Sequence, residues 1–203
     1  MFMGLVGSEM CIRDRDMAGL LRPFDAYDLV KELKQTLSIP IHMQTHATTG
    51  MSAATNMKAV EAGIDNIDTS ISSLSMTYGH SATETMQAIF EGQERSINLD
   101  IDALEEVSVF FKDIRQKYSE FEGDLKGIDS TMLVKQVPGG MLSNLESQLK
   151  ANKQEDKIDL VKDEIPRVRK DFGYPPLVTP ASQIVGAQAL LNVMGSRRYE
   201  NLT

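Results

Sequence analysis

Between Phe24 and Leu37 the apolar residues Phe24, Tyr27, Leu29, Val30, Leu33 and Leu37 recur at roughly helical spacing with charges between them, and Pro23 suits a first helical turn. The next stretch, Ile39 to Thr45, is short, β-branched at its start and bounded by a Thr-Thr-Gly turn, so its pattern predicts a strand. Met51 to Ala62 reads as a helix stopped at Gly63, a position where a left-handed residue commonly ends one. Ile64 to Ile71 predicts a second strand. Ser81 and Glu84, spaced as a capping box, open a helix that runs to Phe90 and stops at Gly92. Asp100 to Phe121 predicts a longer helix with Leu104, Val107, Phe111, Ile114 and Tyr118 on one side. Thr131 to Val137 reads as a third strand, ended by Pro138-Gly139-Gly140. Alternating strands and helices imply right-handed βαβ units in a parallel sheet. Beyond Met141 the alternation stops, and Met141 to Lys150, Asp156 to Phe172 and Thr179 to Met194 predict three successive helices. Three strands cannot cover both faces of a sheet with these helices. The expected class is therefore α/β, the closing part of a larger α/β barrel up to residue 140 and a helical appendage over 141–203.

Composition narrows the function classes. The 203 residues are 41% hydrophobic and 25% charged, the make-up of an ordinary folded domain. No apolar run approaches the roughly 20 residues needed to span a bilayer. With 21 basic against 29 acidic residues the net charge is -8, and no stretch concentrates Lys and Arg, which argues against nucleic acid as a partner. The single cysteine, Cys11, excludes an internal disulfide framework and a Cys-based zinc cage, and fits a cytoplasmic setting. Leu5 to Asp14 resembles the translation of a sequencing-library adapter whose end reads Met-Cys-Ile-Arg-Asp followed by Arg or Ser. Residues 1–15 are accordingly expected to be foreign to the protein, with the natural sequence starting at Asp16 and an upstream portion missing. Removing them changes no net charge, because Glu9, Arg13, Asp14 and Arg15 cancel.

Candidate chemistry centres on the histidines. On a strand His42, Gln44 and His46 share one face. Gln44 and His46 then lie about 6.6 Å apart, close enough to share a metal ion, whereas His42 and His46 are roughly 13 Å apart and do not converge on one. A strand-end His bonded to backbone is the plainer alternative, but His46 sits where the strand runs into Ala47-Thr48-Thr49-Gly50, the end of a barrel strand at which active sites gather. Asp65 and Asp68 point to opposite faces, so at most one lines a site. Gly79 and the start of the Ser81 helix offer a weak anion-binding turn. From the residues alone, Thr179 and Ser182 in Thr179-Pro180-Ala181-Ser182 read first as helix-capping hydroxyls. No hydrolase motif and no phosphate-binding Gly-rich loop occurs.

Five segments occur together in one order: Asp16-Met17-Ala18-Gly19-Leu20-Leu21; His46-Ala47-Thr48-Thr49-Gly50-Met51; Asp65-Asn66-Ile67-Asp68-Thr69; Gln136 to Leu145, reading Gln-Val-Pro-Gly-Gly-Met-Leu-Ser-Asn-Leu; and Gly173-Tyr174-Pro175-Pro176-Leu177-Val178-Thr179-Pro180. From Asp16 to Thr203 the chain thereby resembles the carboxyltransferase domain of biotin-dependent enzymes. Ala47 to Gly50 and His80-Ser81-Ala82-Thr83-Glu84 are most similar to the oxaloacetate decarboxylase alpha subunit and to the B subunit of two-subunit pyruvate carboxylases, with single-chain pyruvate carboxylases and transcarboxylase more distant. The resemblance implies a TIM (β/α)₈ barrel with a divalent metal at its mouth (zinc, or manganese or cobalt), a helical funnel, and biotin carried on a separate domain. It implies oxaloacetate and pyruvate as substrates and a homo-oligomer. It also implies either a membrane sodium-pump subunit, which would hold the chain at the inner face of the membrane, or a separate biotin carboxylase. The family's metal ligands are an upstream Asp, a carboxylated Lys directly before Asp-Met-Ala-Gly, and a His-x-His pair. Arg15 occupies the Lys position at the adapter junction and is taken as overwritten; Gln44 occupies the first His position, and His46 matches the second. Thr179 matches the family's proton-passing Thr and Ser182 its biotin-contacting Ser, which displaces the capping reading. Two functions follow: carboxyl transfer between oxaloacetate or pyruvate and biotin, or a metal-free homologue serving as a scaffold.

Overall fold

The computed structural model describes residues 11–203 except Asp124, and of Lys135 only the backbone. Two compact units divide the chain between Asp129 and Ser130. In the first, a parallel sheet runs in the order β1 (Ile12–Asp16), β2 (Ile41–Thr45), β3 (Asn66–Ile67). The ladder pairs Ile12 with Ile41, Asp14 with Met43 and Arg15 with Gln44, and continues from Met43 to Ile67. The helices α1 (Pro23–Thr36) and α2 (Ser52–Glu61) are the crossovers. Their apolar stripes meet the sheet in a core of Ala26, Val30, Ile41, Met43, Ala59 and Ile64. The βαβ expectation therefore holds, and Pro23 sits at the start of α1 where its missing N–H costs nothing.

Several elements differ from their sequence pattern. Strand β2 starts after Pro40, whose carbonyl accepts from Ile12 N at 2.9 Å. The strand expected over Ile64 to Ile71 shrinks to two residues, because Ile64 N is taken by Ala59 O at the end of α2 and the ladder ends with Asp68 N on Met43 O. The capping box fails. The Ser81 hydroxyl bonds the Ser52 hydroxyl at 2.6 Å, Glu84 accepts from Ser72 N, and α3 (Thr83–Phe90) begins after Ala82. In α4 (Ile101–Lys117), capped by Asp100, the stripe is narrower than expected: Leu104, Phe111 and Ile114 are half-buried, but Val107 and Tyr118 face outward.

The second unit is helical: α5 (Met132–Lys135), α6 (Gly139–Ala151), α7 (Ile158–Asp171) and α8 (Ala181–Met194). The third strand expected over Thr131 to Val137 is instead the single turn of α5, closed by Gln136 in the left-handed region at φ 55°. A strand there would need alternate burial. Among the side chains described there, only Met132 and Val137 are buried, five residues apart, while Leu133 and Val134 are exposed. These two join Met141, Leu142, Leu145, Leu149, Val161, Ile165, Val168, Leu177, Val185 and Ala189 in one core. Pro166 lies inside α7 without ending it, held by Ile165 and Val168 on the buried side. Glu164, 5% exposed, accepts from Arg198 at 2.6 Å and Asn192 at 2.9 Å and pairs with Arg167 at 2.9 Å, so its buried charge is fully partnered. Among the described residues no helix is long and apolar enough to cross a membrane.

Candidate active site

At the C-terminal end of β2, Ile41, Met43 and Thr45 point into the core and His42 and Gln44 point the other way. The parallel register sets Arg13 beside His42 and Arg15 beside Gln44, so one face of the sheet carries all four. His42 is committed elsewhere. Its Nε2 lies 2.6 Å from Asp68 Oδ1, and Arg13 bonds the other oxygen of the same carboxylate. Burial alone would raise the pKa of Asp68, but the hydrogen bonds from Arg13 and His42 outweigh it and hold the carboxyl below its ordinary value. Asp65 instead takes Lys34 at 2.9 Å and Ile41 N at 2.7 Å, so the two aspartates serve different faces, as their spacing requires.

His46 follows β2 directly. Its Nδ1 lies 2.5 Å from the Tyr78 carbonyl, which places the proton on Nδ1 and leaves the lone pair on Nε2; that atom is buried and has no hydrogen-bond partner. Burial lowers the pKa of His46 below the usual imidazole value, against the Tyr78 bond, which raises it, so the ring is neutral at pH 7. His80 has the same arrangement. Its Nδ1 lies 2.9 Å from the Thr45 carbonyl, and its Nε2 lies 3.3 Å from the Gln44 amide nitrogen. The two imidazoles stand 4.9 Å apart, centre to centre, at 57°. Sequence reasoning missed His80 as part of this cluster and placed it in an anion-binding turn. That turn does not offer the Gly79 N–H to an anion, because it is spent on Met76 O at 2.7 Å. The one available signal was that Tyr78 to Ser81 follows the next strand at the same end of the sheet.

Two of the sequence segments interlock beneath this cluster. Asp16 accepts from Leu20 N and Leu21 N, both at 2.9 Å, and folds Asp-Met-Ala-Gly into a tight turn. Gly19 sits there at φ +67°, where an added Cβ would come 2.5 Å from the His46 carbonyl oxygen, and the Thr49 hydroxyl donates to Gly19 O. Glycine is needed at this position both for its backbone conformation and for the close approach. Gly19→Ala is expected to cost about 2 kcal/mol and to displace His46. An unchanged melting temperature would contradict it.

In the other unit Ser182 is buried and Thr179 is exposed, just ahead of α8. The helix takes Pro180 as its N-cap and no side chain caps it, so neither hydroxyl plays the capping role that their residue types suggest.

Residues 7–110 match the model described as HMGL-like, and residues 132–203 that of the conserved carboxylase domain. The chain belongs to this family, as part of the carboxyltransferase domain of the pyruvate carboxylase and methylmalonyl-CoA carboxyltransferase 5S group. It is 50% identical over 191 residues to the methylmalonyl-CoA carboxyltransferase 5S subunit of Propionibacterium freudenreichii, covering 93% of this chain and 37% of that protein. It is 47% identical over 196 residues to the pyruvate carboxylase B subunit of Methanocaldococcus jannaschii, covering 96% of this chain and 34% of the relative. The carboxyl transferase domain of Rhizobium etli pyruvate carboxylase with pyruvate and biocytin superposes with a TM-score of 0.88 at 34% identity, over 93% of this chain and 32% of that one. The chain thus spans about a third of the length of these carboxyltransferase relatives. Single-chain pyruvate carboxylases are more distant, at 38% for Staphylococcus aureus. The transcarboxylase was expected to be distant too, and the 50% identity to the 5S subunit overturns that.

The family's metal ligands can be tested against these residues. His46 suits a metal: one ring nitrogen is fixed on a backbone carbonyl and the other is bare. Arg15 does not, because a guanidinium stays protonated and cannot bind a cation. Gln44 brings an amide in place of an imidazole. Among the described residues no group of three His, Cys, Asp or Glu side chains converges. The family's own ligand set is therefore not assembled by these residues.

Proposed function

We propose that the full-length protein transfers a carboxyl group between biotin and the oxaloacetate–pyruvate pair. The observation that carries this reading is the neutral, Tyr78-anchored His46 at the end of β2, in a chain whose relatives include a pyruvate carboxylase B subunit and a carboxyl transferase domain seen with pyruvate and biocytin. Thr179, exposed and not engaged in capping α8, passes the proton between biotin and the pyruvate enolate, and buried Ser182, three residues on, contacts the biotin ring. A hydroxyl can do this without a shifted pKa, because it replaces each proton as it gives it up. Both residues act with biotin delivered by a separate carrier domain. The finer reading is the oxaloacetate decarboxylase alpha subunit. Carboxylation of pyruvate is the second reading, and the 47% identity to the Methanocaldococcus jannaschii protein favours it.

The test is biotin-stimulated decarboxylation of oxaloacetate by the full-length protein. Turnover that rises with free biotin is expected. If release of pyruvate is the same with and without biotin, the carboxyltransferase reading fails and a scaffold remains.

A further inference from the structure

The basic run at the end of α7, Arg167 to Lys170, reads in the sequence as a solvated helix face, but Arg169 is half-buried and engaged at two points. We propose that Arg169 is a positioning residue for carboxyl transfer: its guanidinium clasps the segment that carries Thr179 to the turn at Gln136 and so sets where the Thr179 hydroxyl stands. The role rests on the proton-passing reading of Thr179.

Arg169 holds the exit of α7 with backbone and side chain together. Its carbonyl accepts from Tyr174 N at 2.8 Å while Lys170 O accepts from Gly173 N at 3.0 Å, the paired bonds of a Schellman turn. Gly173 and Tyr174 are left-handed there, at φ 80° and 58°, and lead the chain off the helix. The side chain follows it round. Nε donates to Pro175 O at 3.2 Å, and Nη1 donates to the Gln136 side-chain oxygen at 2.7 Å. A planar guanidinium joins two acceptors at a set angle, which the compact ammonium of a Lys does not. Gln136 is a firm anchor, because its own N–H closes α5 on Met132 O at 2.8 Å and the next residue, Val137, is in the core.

The segment depends on a donor from outside. Pro175, Pro176 and Pro180 bring no N–H, and Val178 N is spent within the segment on Pro176 O at 2.9 Å. Its carbonyls are therefore what a neighbour can hold, and Arg169 takes the one at Pro175. Two residues on, buried Leu177 enters the core as a second fixing point. The proline rings stiffen the stretch between, so holding Pro175 and Leu177 also directs the chain into Thr179.

The test uses the full-length protein with oxaloacetate and free biotin. Arg169→Met keeps the apolar stem and removes the donors. Its kcat is expected to fall about 10-fold with little change in KM for oxaloacetate, since a misplaced acid–base group costs rate rather than binding. Arg169→Lys should recover part of the rate. In a Thr179→Ala background Arg169→Met should cost no further rate, because a residue that acts through Thr179 then has nothing left to position. Amide hydrogen exchange reads the clasp without reference to activity: exchange over residues 173–179 should quicken in Arg169→Met, while that of α8 stays as in the parent. Unchanged exchange over that segment would overturn the clasp. A parent-like kcat, or a full further loss on top of Thr179→Ala, would overturn the positioning role. Turnover of the parent that ignores biotin would sink the transfer reading and the positioning role with it, and exchange would still decide the clasp. If Arg169→Met does not fold, Gln136→Leu, which removes the other anchor, is judged by the same rate and exchange criteria.

Discussion

Thr179→Ala in the full-length protein should slow biotin-dependent carboxyl transfer by about 10²–10⁴-fold, the range typical of a lost acid–base group, roughly 3–5 kcal/mol of barrier. Thr179→Ser should keep much of the rate, because it keeps the hydroxyl. The structure separates this from a structural effect. Thr179 is exposed, α8 starts at Ala181 with Pro180 as its cap, and the N–H groups of Ser182 and Gln183 are taken by the Val178 and Pro180 carbonyls rather than by a side chain. A helix cap lost to Ala costs about 1 kcal/mol, and here there is none to lose, so the melting temperature should stay put. Oxaloacetate decarboxylation with free biotin and a thermal melt on the same variant decide the matter. Near-normal turnover would remove Thr179 from the chemistry.

Asp14→Val is expected to stabilise the chain by about 2–4 kcal/mol, a shift of several degrees in melting temperature. Asp14 is 4% exposed on the core side of β1, in register with Met43, and one oxygen of its carboxylate is buried without a partner. Burial raises its pKa, against the weaker help of the Arg15 backbone N–H. The sign of the pH effect follows. A carboxyl whose folded pKa lies above its unfolded value favours the fold fully only below the unfolded value, and that contribution is lost as pH rises through the raised folded value. The advantage of Asp14→Val should therefore grow as pH rises from the ordinary carboxylate range and level off above the raised folded value. A variant no more stable than the parent at pH 8 would refute this. Strand β1 contains Ile12 to Arg15, the end of the run that reads as adapter-like in the sequence. Residues 1–10 of that run lie outside the described residues.

Much of the molecule was legible in advance wherever a periodic pattern and a strong local signal coincided. Pro23 and the stripe through Val30 and Leu33 mark α1, the alternation of Ile41, Met43 and Thr45 marks β2, and the apolar periodicity of Val161, Ile165 and Val168 carries α7 through Pro166. Reading failed where a partner distant in sequence decides. Thr131 to Val137 has the composition of a strand, but without a neighbouring strand to bond, its backbone closes on itself in a single helical turn. Ser81 and Glu84 have the spacing of a capping box, but Ser52 and Ser72 compete successfully for their oxygens.

The candidate site divides in the same way. The sequence by itself determined the family, the shared face of His42, Gln44 and His46, and the incompatibility of Arg15 with a cation, because residue identity, side-chain alternation and a fixed charge are local properties. Tertiary structure alone decided that His42 is tied to Asp68, that Tyr78 and Thr45 carbonyls orient His46 and His80, and that His80 comes to stand beside His46. Those pairings join residues 26 to 35 positions apart, and they arise only when the sheet register and the loop after β3 bring fixed backbone acceptors next to rings whose tautomers they then set.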